Sequence, residues 1–115
     1  MGQITTHVLD TAAGRPAAGL KIMLLRLNGE PRVIAEAITN ADGRCDKPLL
    51  EGTACSPGQY ELTFHVGDYF RRTGAKLPEP RFLDVVPVRF GVSEDAHYHV
   101  PLLVSPFAYS TYRGS

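Results

Sequence analysis

Histidine is scarce in this chain, with four copies at His7, His65, His97 and His99. His97 and His99 are two residues apart, so on a strand both side chains leave the same face. His7 stands mid-way along an alternating segment, on the side shared with Thr5 and Leu9. Taken singly, each histidine is most often a hydrogen-bonded structural residue, and His65, on the polar side of its segment, reads as a solvated side chain. Two chemistries compete with that reading for the other three. His-x-His on a strand is a known zinc chelate, with His7 as a third ligand. No carboxylate or cysteine at a recognisable ligand spacing accompanies it, and no metal is expected. The alternative is acid–base work, which suits imidazole because it titrates at about 6.5. That chemistry needs a cation for developing oxyanion charge, and Arg44, held by the turn residues Asp42-Gly43, is the best placed. Its ordinary role would be a solvated turn residue.

The chain ends in Tyr112-Arg113-Gly114-Ser115, directly after apolar strand residues. Terminal residues normally fray, yet this tail offers a phenol, a guanidinium, a hydroxyl and an α-carboxylate; local pattern leaves tail and site both open. Other catalytic patterns are missing: no Gly-x-Ser-x-Gly elbow, no phosphate-cradling glycine loop, no activated cysteine signature. Cys45 and Cys55 sit beside turns and read as inert thiols.

The elements that must carry these residues have the period of strands. Gln3 to Leu9 alternates, with Ile4, Thr6 and Val8 opposite Thr5, His7 and Leu9. Asp10 to Gly19, rich in Ala, Gly and Pro, is a loop. Leu20 to Leu27 is apolar on both faces and reads as a central strand. Asn28-Gly29 suits a tight hairpin turn, and Arg32 to Thr39 returns to a second turn, Asn40-Ala41-Asp42-Gly43. A short strand is expected around Cys45 to Leu50, then a loop over Gly52 to Gly58. Gln59 to Val66 presents Tyr60, Leu62, Phe64 and Val66 on one face. Asp68 as N-cap and Gly74 as stop predict one short helix. Leu77 to Arg81 is a connector. Phe82 to Phe90 contains Pro87, which belongs at a sheet edge or bulge. A polar turn over Gly91 to Ala96 leads to the last strands, His97 to Ser105 and Tyr109 to Tyr112. Seven or eight short strands at this spacing predict a β-sandwich.

Composition narrows the partners. Twelve Lys plus Arg balance twelve Asp plus Glu in 115 residues. Binding to nucleic acid or anionic lipid draws on a basic excess, so neither is expected. The aliphatic run Ile22 to Leu25 falls far short of the roughly 20 residues a membrane span needs. The start lacks the charged and apolar regions of a secretory signal. Gly2 with Thr6 matches the loose myristoylation pattern, but the segment reads at once as a strand. A lone cysteine pair in a domain with its own core suggests free thiols in a reducing compartment, here the cytoplasm. The length fits one domain over residues 1–115.

The segments His97-Tyr98-His99-Val100-Pro101-Leu102-Leu103, Ser105-Pro106 and Tyr109 to Ser115 together resemble the C-terminus of the 5-hydroxyisourate hydrolases, the transthyretin-related proteins of purine breakdown. Thr6 to Asp10 with Gly14-x-Pro16-Ala17 is similar to that family's first strand and loop, and Thr39 to Arg44 to its middle motif. The likeness covers essentially the whole chain. It implies an all-β, transthyretin-like (prealbumin-like) sandwich of seven to eight strands with one short helix. It also implies hydrolysis of 5-hydroxyisourate, a cyclic amide, in urate degradation, without a cofactor. By resemblance the catalytic residues are His7, Arg44, His99 and Ser115. His7, Arg44 and Tyr112 contact the substrate, with His97 behind them. The implied assembly is a homotetramer, a dimer of dimers with active sites between the dimers. The tetrapeptide Tyr112 to Ser115 argues for chemistry over the alternative that shares this fold, a thyroid-hormone carrier of the transthyretin type.

Overall fold

A computed structural model describes residues 2–115. In chain order the described residues form β1 (Gln3–Thr5), β2 (Val8–Asp10), β3 (Arg15–Pro16), β4 (Lys21–Arg26), β5 (Arg32–Ile38) and β6 (Leu50–Glu51). There follow β7 (Gly58–His65), α1 (Val66–Arg72), β8 (Val85–Val92), β9 (His97–His99), β10 (Leu102–Ser105) and β11 (Ala108–Thr111). One layer is the antiparallel sheet β5-β4-β7-β8. Its inner strand β4 pairs on both sides, Leu24 with Ala35 and with Leu62. Pro87 sits on the edge strand β8 opposite Thr63, where its missing N–H costs no ladder bond.

The other layer runs as β6-β1-β9 at one end and β11-β10-β2-β3 at the other. The parallel register is the same in both halves, with Thr5 opposite His99 and Val8 opposite Leu102. Between them the ladder is interrupted at Thr6–His7 and Val100–Pro101, bridged by Val100 N–H to the Thr5 carbonyl and Leu102 N–H to the His7 carbonyl, both at 2.9 Å. The opposite edge of the strand is occupied at the same level. Val8 N–H donates to the Gly43 carbonyl at 2.8 Å, so a turn docks where another strand would lie. Alternation then fills the core. Ile4, Val8 and Leu102 of this layer meet Ile22, Leu24, Leu62 and Phe64 of the other, all at 0% exposure. Each such side chain contributes about 1.5–3 kcal/mol on burial.

Three local expectations are corrected. The helix begins at Val66, not Asp68, because Val66, Tyr69 and Phe70 form its buried face. Asp68 lies in the first turn and pairs with Arg81 at 2.9 Å, a hydrogen bond that holds its carboxyl below the usual range. Tyr69 ties the helix to β2, its hydroxyl donating to Asp10 Oδ2 at 2.8 Å; burial and then that carboxylate push its pKa up to about 12. His65 keeps its place in the alternation of β7, on the side of Glu61 and Thr63, but like them it is half-buried rather than solvated, and its Nε2 has no hydrogen-bond partner among the described residues. The segment after Arg44 stays irregular as far as Leu49, with Asn40 Nδ2 donating to Asp46 Oδ1, and the strand is limited to Leu50–Glu51.

Candidate active site

The outer face of the β1-β9 pair carries the imidazoles. Register sets Thr5 opposite His99, and the Thr5 hydroxyl lies 2.6 Å from His97 Nε2 and 2.8 Å from His99 Nδ1. The two imidazole rings stand 6.1 Å apart. His7 follows on the same side, at the ladder interruption, where its backbone bridges antiparallel to Arg44. Arg44 is brought there by the turn that closes β5. Asn40 Oδ1 accepts from the N–H groups of Asp42 and Arg44, at 2.9 and 3.2 Å, and Asn40 N–H returns to the Arg44 carbonyl at 2.8 Å. Side-chain capture of nearby backbone N–H is why Asn favours such turns.

Gly43 is fixed by two requirements. Its φ is +74°, and a Cβ there would lie 2.4 Å from the Val8 carbonyl oxygen. Gly43→Ala is therefore expected to lower stability by more than about 1 kcal/mol and to displace Arg44. A denaturation midpoint equal to the parent's would contradict this.

The tail closes on the same strand. Gly114 N–H donates to the His99 carbonyl at 2.7 Å, and a Cβ at 114 would meet His99 Cδ2 at 2.6 Å. The Arg113 guanidinium stacks over Tyr98 at 4.1 Å, pinning the tail from the other side. Gly114→Ala should push His99 and Ser115 apart. Expected is at least a tenfold fall in activity with an unchanged Tm, because the flanking tail residues are exposed. A matching activity would show that the close approach has no role.

A cleft of about 370 Å³ is lined by Thr5, Arg44, Lys47, His97, His99 and Ser115, with Thr6 and Cys45 to Pro48 completing it. Of the residues singled out from sequence, Arg44, His97, His99 and Ser115 share this space. His7 adjoins Arg44 without lining it. Tyr112 lies elsewhere within the chain, in a second cleft with Tyr98, Phe90 and Arg113. Thr5 and Gly114, which place both rings and the tail, escaped the sequence reading. The available clues were a threonine two residues before His7 and a glycine inside a polar tail.

The pKa of His99 is lowered, first by burial and then by the positive fields of Arg44, His97 and His7. The neutral ring, a base, therefore persists to lower pH than in free imidazole. NMR titration is expected to give a midpoint below about 6.5, rising when Arg44 is replaced by alanine. Linkage has a definite sign. The unfolded chain takes up the proton first, so this contribution to stability is complete above the unfolded value. It is lost as pH falls from there through the folded value. A midpoint at or above that of the free ring would contradict the assignment.

Cys45, also in the cleft, is pushed up by burial and then by Asp46, and so remains a thiol, a poor nucleophile. Cys45 and Cys55 are both free. Among the described residues no three of His, Cys, Asp and Glu converge as a metal site. Nor is any helix among them long and apolar enough to cross a membrane. What the cleft brings together is an imidazole biased toward its neutral form, an exposed guanidinium on a backbone held by its turn, and hydroxyl groups, the residue types that general-base attack of water on a carbonyl uses.

Comparison with known proteins gives the same direction. Residues 4–114 match the family described as the HIUase/Transthyretin family. The 5-hydroxyisourate hydrolase 2 of Rhizobium meliloti (strain 1021) is 62% identical over 116 residues, 99% of this chain and 97% of that protein. The crystal structure of (S)-allantoin synthase superposes with a TM-score of 0.94 at 48% identity over 99% of this chain, which spans 44% of that longer protein. Sea bream transthyretin in complex with thyroxine superposes with a TM-score of 0.86 at 26% identity, covering 97% of this chain and 94% of that one.

Proposed function

Because the chain belongs to the HIUase/transthyretin family, we propose that it hydrolyses 5-hydroxyisourate to 2-oxo-4-hydroxy-4-carboxy-5-ureidoimidazoline, opening the six-membered ring at a cyclic amide. The observation that carries this reading is His99, kept neutral by burial and placed with Arg44 in one cleft. His99 takes a proton from water as the oxygen attacks the ring carbonyl, help worth roughly 10² to 10⁴ in rate. The Arg44 guanidinium holds the carbonyl oxygen as it gains charge. His7, beside Arg44, protonates the departing ring nitrogen. The Ser115 hydroxyl orients the water. His97 supports His99 from behind. The steps require no metal or organic cofactor and no covalent intermediate; alignment of the reactants carries the rate.

The working unit in this proposal is one domain over residues 1–115, assembled as a homotetramer. Two features support the assembly. The site lies on the outward face of its layer, where a second copy can cover it. Tyr112 is 60% exposed and lies outside its own chain's histidine cleft, so that it is available to orient substrate in a shared, desolvated channel between dimers. Two free thiols suit a reducing, cytoplasmic setting.

The test supplies freshly made 5-hydroxyisourate, generated from urate by uricase, and follows its absorbance against a buffer control. Acceleration well beyond the spontaneous decay is expected; decay at the buffer rate overturns the proposal. Titration with thyroxine by calorimetry separates the carrier reading. Binding without turnover would favour it, whereas the charged lining of the cleft predicts no heat.

A further inference from the structure

The Thr5 hydroxyl carries one proton and stands between two ring nitrogens, His97 Nε2 at 2.6 Å and His99 Nδ1 at 2.8 Å. It can donate to one of them, so the other must donate to it. In neutral rings this sets the tautomers in opposition. When His99 carries its proton on Nδ1, its Nε2 offers a lone pair to the cleft, and His97 Nε2 accepts the Thr5 proton. When Thr5 donates to His99 instead, the His99 proton sits on Nε2 and the ring is no base there. The parallel register fixes the arrangement, since Thr5 lies opposite His99 and Gln3 opposite His97. The β-branched side chain also has few rotamers through which to swing away.

We propose that Thr5 joins His97 and His99 into a proton relay, a role that rests on the hydrolase reading of the same cleft. As His99 Nε2 accepts a proton from the attacking water, the His99 Nδ1 proton passes to Thr5 Oγ1, and the Thr5 hydroxyl proton passes to His97 Nε2. His99 ends neutral with its proton moved to Nε2, Thr5 ends unchanged, and His97 ends as the cation. The water oxygen ends as a hydroxyl on the former carbonyl carbon, and the former carbonyl oxygen carries the balancing negative charge beside Arg44. The direction follows from the surroundings of each ring. His99 is part-buried, with Arg44 and His7 adding positive field from the turn and from β1's continuation, and Gly114 packed on its edge. Cys45, Asp46 and Lys47 also line the cleft, as does Ser115 of the tail. Within the chain His97 is the more exposed of the two rings, its carbonyl 3.5 Å from Arg113 Nη2, and it gives up less hydration on taking the charge than His99 would. Thr5 thereby acts as a positioning residue, exporting charge from a site that disfavours it.

Two measurements decide this. Nitrogen-15 NMR of the unliganded protein, at a pH where both rings are neutral, is expected to show the opposed tautomers with His99 Nδ1 protonated and His97 Nε2 unprotonated. Thr5→Val should release both rings to the mixture of free imidazole, and Thr5→Ser should keep the opposition. In turnover, Thr5→Val is expected to lose about 10- to 100-fold in kcat with KM nearly constant, Thr5→Ser recovering most of it. The solvent-deuterium dependence of kcat should be curved for the parent and linear for Thr5→Val. Protonation of both nitrogens, of neither, or of His97 Nε2 with His99 Nδ1 bare, or a Thr5→Val variant with the parent's kcat and isotope dependence, overturns the relay. If Thr5→Val fails to fold, the parent's tautomers and isotope curvature still decide. Opposed tautomers without turnover would sink the hydrolase reading and leave the hydrogen-bond coupling standing.

Discussion

Replacing His99 with alanine is expected to lower kcat on 5-hydroxyisourate by about 10² to 10⁴, the range of a lost general base. The expectation rests on three features of the ring. Its Nδ1 is occupied by Thr5, leaving Nε2 for the cleft; burial and cationic neighbours keep it neutral; and Gly114 packs against its edge. Alanine also empties the space against Gly114, so His99→Gln serves as the better filled variant and should lose a comparable amount. His65→Gln provides the control. Its ring is remote in sequence from every cleft residue and lies at the start of α1, and its turnover should equal the parent's. A His99→Gln protein with parental kcat would remove His99 from the chemistry.

Arg44→Ala carries the second large effect, a fall of about 10² to 10³ in kcat, comparable to the loss of one oxyanion donor elsewhere. Arg44 is exposed and its hydrogen bonds to Asn40 use backbone groups, so folding should be unchanged within about 0.5 kcal/mol. Activity and stability thus separate, as they would not for a buried structural cation. Arg44→Lys restores the charge without the planar fork and should recover only part of the rate. The same replacement by alanine removes positive field from His99, and the acidic limb of kcat/KM should move to higher pH. A loss of rate with no movement of that limb would break the proposed proximity of the two groups.

Much of the scaffold is legible in local pattern, because burial alternates wherever a strand has one wet face. Ile4, Thr6 and Val8 are buried, and Thr5 and His7 between them are half-exposed, as period two requires. The Asn40 to Gly43 turn declares itself through side-chain chemistry, and Pro87 through the bond it lacks. Local pattern fails where a distant segment decides. That Thr5 faces His97 and His99 depends on a parallel register across 94 residues, which no short-range rule encodes. His65 holds its alternating place yet is half-buried by the surroundings of β7, and Asp68 falls inside the first turn because the helix begins at Val66. The resemblance puts Tyr112 at the substrate pocket with Ser115, whereas within one chain the phenol stands with Tyr98 rather than with the histidines.

The most direct measurement is a crystal structure of the assembled protein with a hydrolysis-resistant purine analogue such as 8-azaxanthine. The ligand should lie in the Thr5–His99–Ser115 cleft, with its oxygens or ring nitrogens about 3 Å from both His99 Nε2 and the Arg44 guanidinium. An analogue seated instead beside Tyr98 and Phe90, with His99 and Arg44 on separate solvent-facing surfaces of the oligomer, would contradict the proposed water-activating site.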